Sequence, residues 1–318
     1  MRRIVVGPIA LAVGLALALG LGACASSAPT SAPATTEVRS GPPYPVSLTH
    51  LTLTDTSRPT AAGSQTPARS SRTLQTTVFF PDTDASVEGH FPLIVFAHGL
   101  TGSPDRHSDL GEAWARAGFV VAMPAFPLTN STVPGGAANY SDVNNQPADV
   151  SFVLDQLIAA SDDPNSPVAS RIDPDRIGVA GHSLGAATTY AVAIDDCCRD
   201  PRIDAAVVMA GVVLVDGGRM DYRTGLPMLL FHGDADQVLS YQFDVDTYAK
   251  LSPPKWFVTL QGAGHSPPYE DIASPWDDVV ESTSTDFWLG QLDGDAAALA
   301  RLEADATVPG ISSIQSDP

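Results

Sequence analysis

The chain has 318 residues, 44% of them hydrophobic, with 17 Lys and Arg against 36 Asp and Glu and a formal net charge of −19. So acidic a chain excludes nucleic acid as a partner and excludes electrostatic docking on anionic lipid. The apolar fraction can bury a sizeable core, and the length permits one large α/β domain or two small ones.

Residues 1–23 read as an export signal. Arg2 and Arg3 form a basic start, and Ile4 to Leu21 is an apolar run rich in Ala, Leu and Gly. The segment closes on Leu21-Gly22-Ala23-Cys24, which resembles the lipobox of bacterial lipoproteins and implies that Cys24 becomes a lipidated first residue. Two other outcomes stay open: ordinary cleavage at Ala23-Cys24-Ala25, giving a secreted protein, and an uncleaved apolar run nearly long enough to span a bilayer. Residues 24–45 are rich in Pro, Ser, Thr and Ala and cannot bury enough apolar surface to fold. The expected layout is a signal peptide (1–23), a lipidated Cys with a disordered tether (24–45) and a single domain (46–318). The chain is expected to be exported, and to touch membrane only through its lipid.

Leu48 to Asp55 alternates apolar and polar residues, as a half-exposed strand does. Leu74 to Phe80 behaves similarly and stops at Pro81-Asp82, and Asp82 to His90 reads as a polar turn. Pro92 to Ala97 is a continuous apolar run, the pattern of a strand covered on both faces. Asp105 to Ala117 reads as a helix ending at Gly118, and Phe119 to Met123 as a buried strand ended by Pro124. In Gln146 to Ala160, residues Val150, Val153, Leu154, Leu157 and Ile158 share one helical face. Ile177 to Ala180 is a short strand. Asp204 to Ala210, Leu226 to Phe231 and Lys255 to Leu260 are three more, with a helix from Tyr241 to Leu251 between the last two. Val279 to Leu292 is a closing helix, and the tail from Asp293 reads as one more amphipathic helix and a loose end. This alternation predicts the α/β class: a mostly parallel central sheet with helices on both faces. Between Ala210 and Gly225 there is room only for a loop or one helical turn, so no large lid is expected.

Gly181-His182-Ser183-Leu184-Gly185 follows an apolar run, Arg176 to Ala180, and precedes the small residues Ala186 to Tyr190. Strand, G-x-S-x-G, helix is the nucleophile elbow of an α/β-hydrolase, and it marks Ser183 as nucleophile. Leu184 N–H, at the positive end of the following helix, is the expected first donor to an oxyanion. A serine needs a basic histidine and an orienting carboxylate, which in this fold follow in the order Ser, Asp, His. Downstream lie two histidines. His232 precedes the acidic candidates, the wrong order, and is read as structural. His265, in Gly262-Ala263-Gly264-His265 directly after the last parallel strand, is the expected base. The segment Phe231 to Val238 offers two carboxylates, Asp234 and Asp236.

Five stretches occur in order: L-I-V-F-A-H-G-L-T-G-S, G-F-V-V-A-M-P, R-I-G-V-A-G-H-S-L-G, L-L-F-H-G-D-A-D-Q-V and G-A-G-H. Over roughly residues 74–292 the chain resembles an α/β-hydrolase of the dienelactone-hydrolase and platelet-activating-factor-acetylhydrolase type, related to bacterial cutinase-like esterases. In that family H-G-x-x-D-x-x-V carries its acid at the second carboxylate. The resemblance therefore implies Asp236, with Asp234 shaping the turn. It also implies Leu100 N–H as the second oxyanion donor, with His98 bracing that loop and His182 serving as scaffold. It implies hydrolysis of a small or medium carboxylic ester through an acyl-enzyme, with no cofactor. Three departures bear on the substrate. Leu100 stands where cutinase-like polyesterases often carry an aromatic residue, the nucleophile is serine rather than cysteine, and the adjacent Cys197 and Cys198 are not the terminal disulfide of polyesterases.

Cys197 and Cys198 cannot staple distant segments, and outside the cytoplasm they are expected to form a vicinal disulfide. No His or Cys stands near them at zinc-site spacing, so no metal is expected. Phe126, Tyr140, Tyr269 and Trp276 could line a pocket or equally pack in the core. A serine peptidase or an acyltransferase would use the same three side chains. A non-catalytic surface-binding lipoprotein would need one of them out of place.

Overall fold

The computed structural model describes residues 43–83, 90–134, 138–214 and 218–318. The expected signal peptide, Cys24, nearly all of the tether and most of the polar turn at 82–90 lie outside the described residues. The chain runs β1 (Val46–Asp55), β2 (Arg72–Pro81), β3 (Phe91–Ala97), α1 (Ser108–Ala117), β4 (Val120–Ala125), α2 (Gln146–Asp162) and β5 (Ile172–His182). It continues through α3 (Leu184–Ile194), β6 (Ala205–Met209), β7 (Met228–Gly233), α4 (Gln242–Lys250), β8 (Lys255–Leu260), α5 (Asp277–Leu292), α6 (Ala296–Asp305) and β9 (Ser312–Asp317). The strands form one sheet in the order β1-β2-β4-β3-β5-β6-β7-β8-β9. From β4 to β8 neighbouring strands are parallel, whereas β1, β2 and β9 run antiparallel at the two margins. This is the α/β-hydrolase architecture.

The apolar runs explain why the middle of the sheet is buried on both sides. Every residue of β3 is buried. Leu93, Val95 and Ala97 enter the core under α2 and α3, with Val150, Val153, Leu154, Leu157 and Tyr190. Ile94 and Phe96 enter the opposite core under α1 and α5, with Trp114, Val280, Phe287 and Trp288. Alternation along the strand thus feeds two separate layers. On edge strand β1 the pattern is half-exposed, with Leu51 and Leu53 against the core and Thr52 and Thr54 outward.

Register brings the carboxyl ends of the parallel strands to one rim. Ala97 of β3 pairs beside Gly181 of β5, His182 beside Met209 of β6, and Gly233 of β7 beside Leu260 of β8. The loops leaving β3, β5, β7 and β8 therefore share one edge.

One expectation changes. The tail after α6 is not loose: Ser312–Asp317 pairs antiparallel with β8, residue against residue, from Leu260↔Ser312 to Lys255↔Asp317. Its composition is polar because only Ile314 packs on the core, and backbone hydrogen bonds do the rest. Phe126 and Tyr269 are core residues, 0% and 2% exposed, the second of the two placements left open for them, and Tyr269 also borders a surface groove. Between Ala210 and Gly225 the described residues contain no helix, and Asp195 bridges Met220. Cys197 and Cys198, just after α3, are joined by a disulfide.

Deleting residues 311–318 should strip β8 of its partner and expose an open strand edge. The expected result is a stability loss of at least about 2 kcal/mol in denaturant melts, with self-association visible by light scattering.

Candidate active site

Ser183 is the residue between β5 and α3, and its backbone has φ 57° and ψ −117°. That is a left-handed conformation a side chain seldom adopts, and it costs on the order of 1–3 kcal/mol. The surroundings enforce it. A Cβ at Gly181 would stand 2.3 Å from the Gly185 carbonyl oxygen, and one at Gly185 would stand 1.9 Å from the Ala97 carbonyl oxygen. The elbow therefore packs backbone to backbone, against itself and against the end of β3. Ser183 N–H donates to Met209 O at 2.9 Å, fixing the turn to β6.

His265 lies on the loop after β8. Its Nε2 is 2.8 Å from Ser183 Oγ, and its Nδ1 is 2.7 Å from Asp236 Oδ2. A carboxylate only accepts, so Nδ1 carries the hydrogen and Nε2 is free to accept the serine proton. The His265 side chain is 11% exposed and that of Asp236 is fully buried. Asp236 Oδ1 accepts the Val238 and Leu239 N–H groups at 2.7 and 3.0 Å. Asp234 is occupied otherwise: its Oδ1 accepts Gly262 N–H at 2.6 Å, tying the β7 loop to the turn that leads to His265.

The loop after β3 reaches the same rim. A Cβ at Gly99 would lie 3.1 Å from Ser183 Cβ, so this backbone abuts the serine. Thr101, at φ 59°, donates its N–H to Thr129 O at 2.7 Å, and Gly102 N–H bonds Gly99 O at 2.9 Å. Leu100 lies inside the turn that the Gly102–Gly99 bond closes and is 40% exposed. Leu184 opens α3 directly after the serine. His98 is buried and braces the loop from beneath. Its Nδ1–H donates to Gly99 O at 2.7 Å and its Nε2 accepts Phe126 N–H at 3.1 Å. Burial pushes its pKa down to about 4, so it stays neutral. His182 donates its Nε2–H to the His265 carbonyl at 2.9 Å and so holds the backbone of the loop histidine.

Sequence reasoning gave His232 only a structural role and did not single out Asp244. His232 Nδ1 is 2.7 Å from Asp244 Oδ2, and its Nε2 lies 3.3 Å from Asp236 Oδ2 and 3.2 Å from Leu239 O. All three side chains are fully buried. Asp244, on α4, also accepts Tyr190 O–H at 2.6 Å and Gly211 N–H at 2.7 Å. Burial alone would lower the His232 pKa, but the bonds to Asp236 and Asp244 outweigh it and push it up to about 9. His232 is thus a buried imidazolium between two carboxylates. Burial likewise works to raise the Asp236 pKa, and bonds from His232, His265, Leu239 and Val238 overcome it and hold that carboxyl well below the usual range. The sequence carried no signal for this group, since the inward placing of Asp244 and Thr247 on α4 is set by the fold.

The arrangement can present an alcohol oxygen, a proton acceptor aligned on it and an anion that orients the acceptor, all at the edge of a rigid sheet. Because the folded pKa of His232 lies above its ordinary value of 6.5, its stabilisation is complete below about pH 6.5 and is lost as pH rises through about 9. Denaturation free energy should fall by about 3 kcal/mol across that window, and His232→Gln should flatten this limb of the profile.

The family model for PETase, described as PET hydrolase-like, matches residues 34–274, most of the chain. The chain belongs to this family of α/β-hydrolases, whose members are carboxylic ester hydrolases.

Proposed function

We propose that this PET hydrolase-like protein is a serine hydrolase that cleaves carboxylic esters through an acyl-enzyme, using Ser183, His265 and Asp236. The observation that carries the reading is the continuous hydrogen-bonded line from Ser183 Oγ through His265 to Asp236, at 2.8 and 2.7 Å. Ser183 Oγ attacks the ester carbonyl while its proton passes to His265 Nε2. The carbonyl oxygen becomes an oxyanion, held by the Leu100 and Leu184 amides. The tetrahedral intermediate collapses, the C–O bond to the alcohol breaks, and His265 returns the proton to the leaving alkoxide. Water then gives a proton to His265 and attacks the acyl carbon, releasing the acid and restoring Ser183. Asp236, kept anionic by its four bonds, stabilises the imidazolium formed in both halves.

The loops of the rim carry no helical lid among the described residues between Ala210 and Gly225. This favours small and medium esters that diffuse in directly. The leader supports export, with Cys24 lipidated and residues 24–45 acting as the tether between membrane and domain.

Ser183→Ala should lower turnover of a short-chain nitrophenyl ester by more than about a thousandfold with an unchanged circular dichroism spectrum. It should also abolish labelling by a fluorophosphonate probe. Retained turnover in that variant overturns the mechanism. For the leader, Cys24→Ala expressed in a bacterial host should move the protein from the membrane fraction to a soluble extracytoplasmic one.

A further inference from the structure

Two buried histidines beside the triad have one nitrogen engaged and one bare. His107 ends the short 3-10 helix Pro104–His107 and is 1% exposed, and His182 is 2% exposed. His107 Nδ1 is 2.7 Å from the Tyr269 carbonyl, and His182 Nε2 is 2.9 Å from the His265 carbonyl. Carbonyls only accept, so those two nitrogens carry the hydrogens. His107 Nε2 and His182 Nδ1 are therefore bare lone pairs, buried and without a hydrogen-bond partner among the described residues. The carboxylate of Glu270 completes the group: one ligand atom from each of the three side chains lies within 4.8 Å of the other two. At the margin Arg106 Nη1 lies 3.4 Å from Glu270 Oε2.

We propose that His107, His182 and Glu270 bind a divalent transition metal of the zinc class, which clamps the loop carrying His265 to the elbow carrying Ser183. Three acceptors converge here, and one water has only two protons to give. A divalent cation satisfies all three. Two imidazoles and one carboxylate suit zinc, cobalt or nickel better than calcium or magnesium, which prefer oxygen alone. The outer contacts also have the form metal sites use, since each ring donates its far N–H to a backbone carbonyl and so fixes its tautomer and orientation. With zinc–nitrogen bonds of about 2.0–2.1 Å, tetrahedral ligands stand about 3.3 Å apart. Closing from 4.8 Å asks each side chain to move by less than about 1 Å. Water takes the fourth position.

An acidic groove opens beside Glu270. A surface groove of about 540 Å³, lined by Tyr269 and Glu270, also carries Asp109, Glu112, Asp271, Asp277 and Glu281 against the single cation Arg116. Such a field draws cations inward. The carbonyls held by the two rings belong to His265 and Tyr269, the start and middle of one loop, so loading the metal stiffens the segment that presents the proposed base. The metal touches no reacting atom. The site leaves no trace in the sequence, because its ligands come from the 3-10 helix Pro104–His107, the end of β5 and the loop after β8, with no short spacing between them.

The test uses the full chain, stripped by chelation and titrated with cobalt chloride and then zinc chloride. One equivalent of cobalt should produce the visible bands of a tetrahedral site, and zinc should erase them. The melting temperature should rise by at least about 3 °C at hundredfold excess over Kd. Glu270→Gln should weaken binding at least tenfold, and His107→Gln should abolish the bands. His265→Ala should keep them, which separates this site from the triad imidazole and from the fate of the hydrolase reading. A folded wild-type chain that takes up no metal, equal affinity in Glu270→Gln, or loss of binding in His265→Ala overturns the proposal.

Discussion

The contact on which the rest depends is backbone against backbone, where Gly185 meets the Ala97 carbonyl with no room for a Cβ. It joins the first turn of α3 to the end of β3 and leaves Ser183 its left-handed conformation. Strain of that kind persists only where the neighbours over-determine it. Here they do: β6 takes the serine amide, Gly181 packs on Gly185, and the loop after β3 abuts the serine. A sheet of parallel strands buried on both faces supplies the rigidity, because its strand ends cannot shift without disturbing two cores.

Opposite this fixed point stands a loop held mainly by its own carbonyls and turns. His182 grips the His265 carbonyl, His107 grips that of Tyr269, and Asp234 grips Gly262. Below it, Asp236 is shared between two imidazoles, one at the surface and one sealed in the core. The sealed one is charged, since burial alone is outweighed by two carboxylates. Removing either partner of such a group would leave an unpaired charge in the interior, which typically costs about 3–5 kcal/mol. The carboxylate that orients His265 is therefore fixed from behind as well as from its own loop.

Much of this was legible in the sequence, and the reasons are local. The parallel strands were readable as short apolar runs, because strands buried on both faces leave little polar residue to confuse them. The elbow was readable because its glycines answer to steric demands within five residues. Asp236 could be chosen over Asp234 only through resemblance. The physical difference, a Gly262 amide already bound to Asp234, needs coordinates. β9 was missed because backbone pairing holds it, not apolar pattern. His232 with Asp244, and His107 with His182 and Glu270, were invisible as groups because the fold's topology, not spacing, brings them together.

On the proposed mechanism Leu100 separates two jobs, one for its amide and one for its side chain. Its main chain lies inside the turn closed by the Gly102 bond to Gly99 and is followed by Thr101, bonded to Thr129, while the residue is 40% exposed. In the proposed mechanism, identity at this position is therefore decoupled from folding: exchanging the isobutyl group for a ring or a shorter branch changes the surface beside Ser183 while the turn keeps the amide where it is. Divergence among such proteins has a free parameter here, a place where selection can retune what is admitted without disturbing how it is cut.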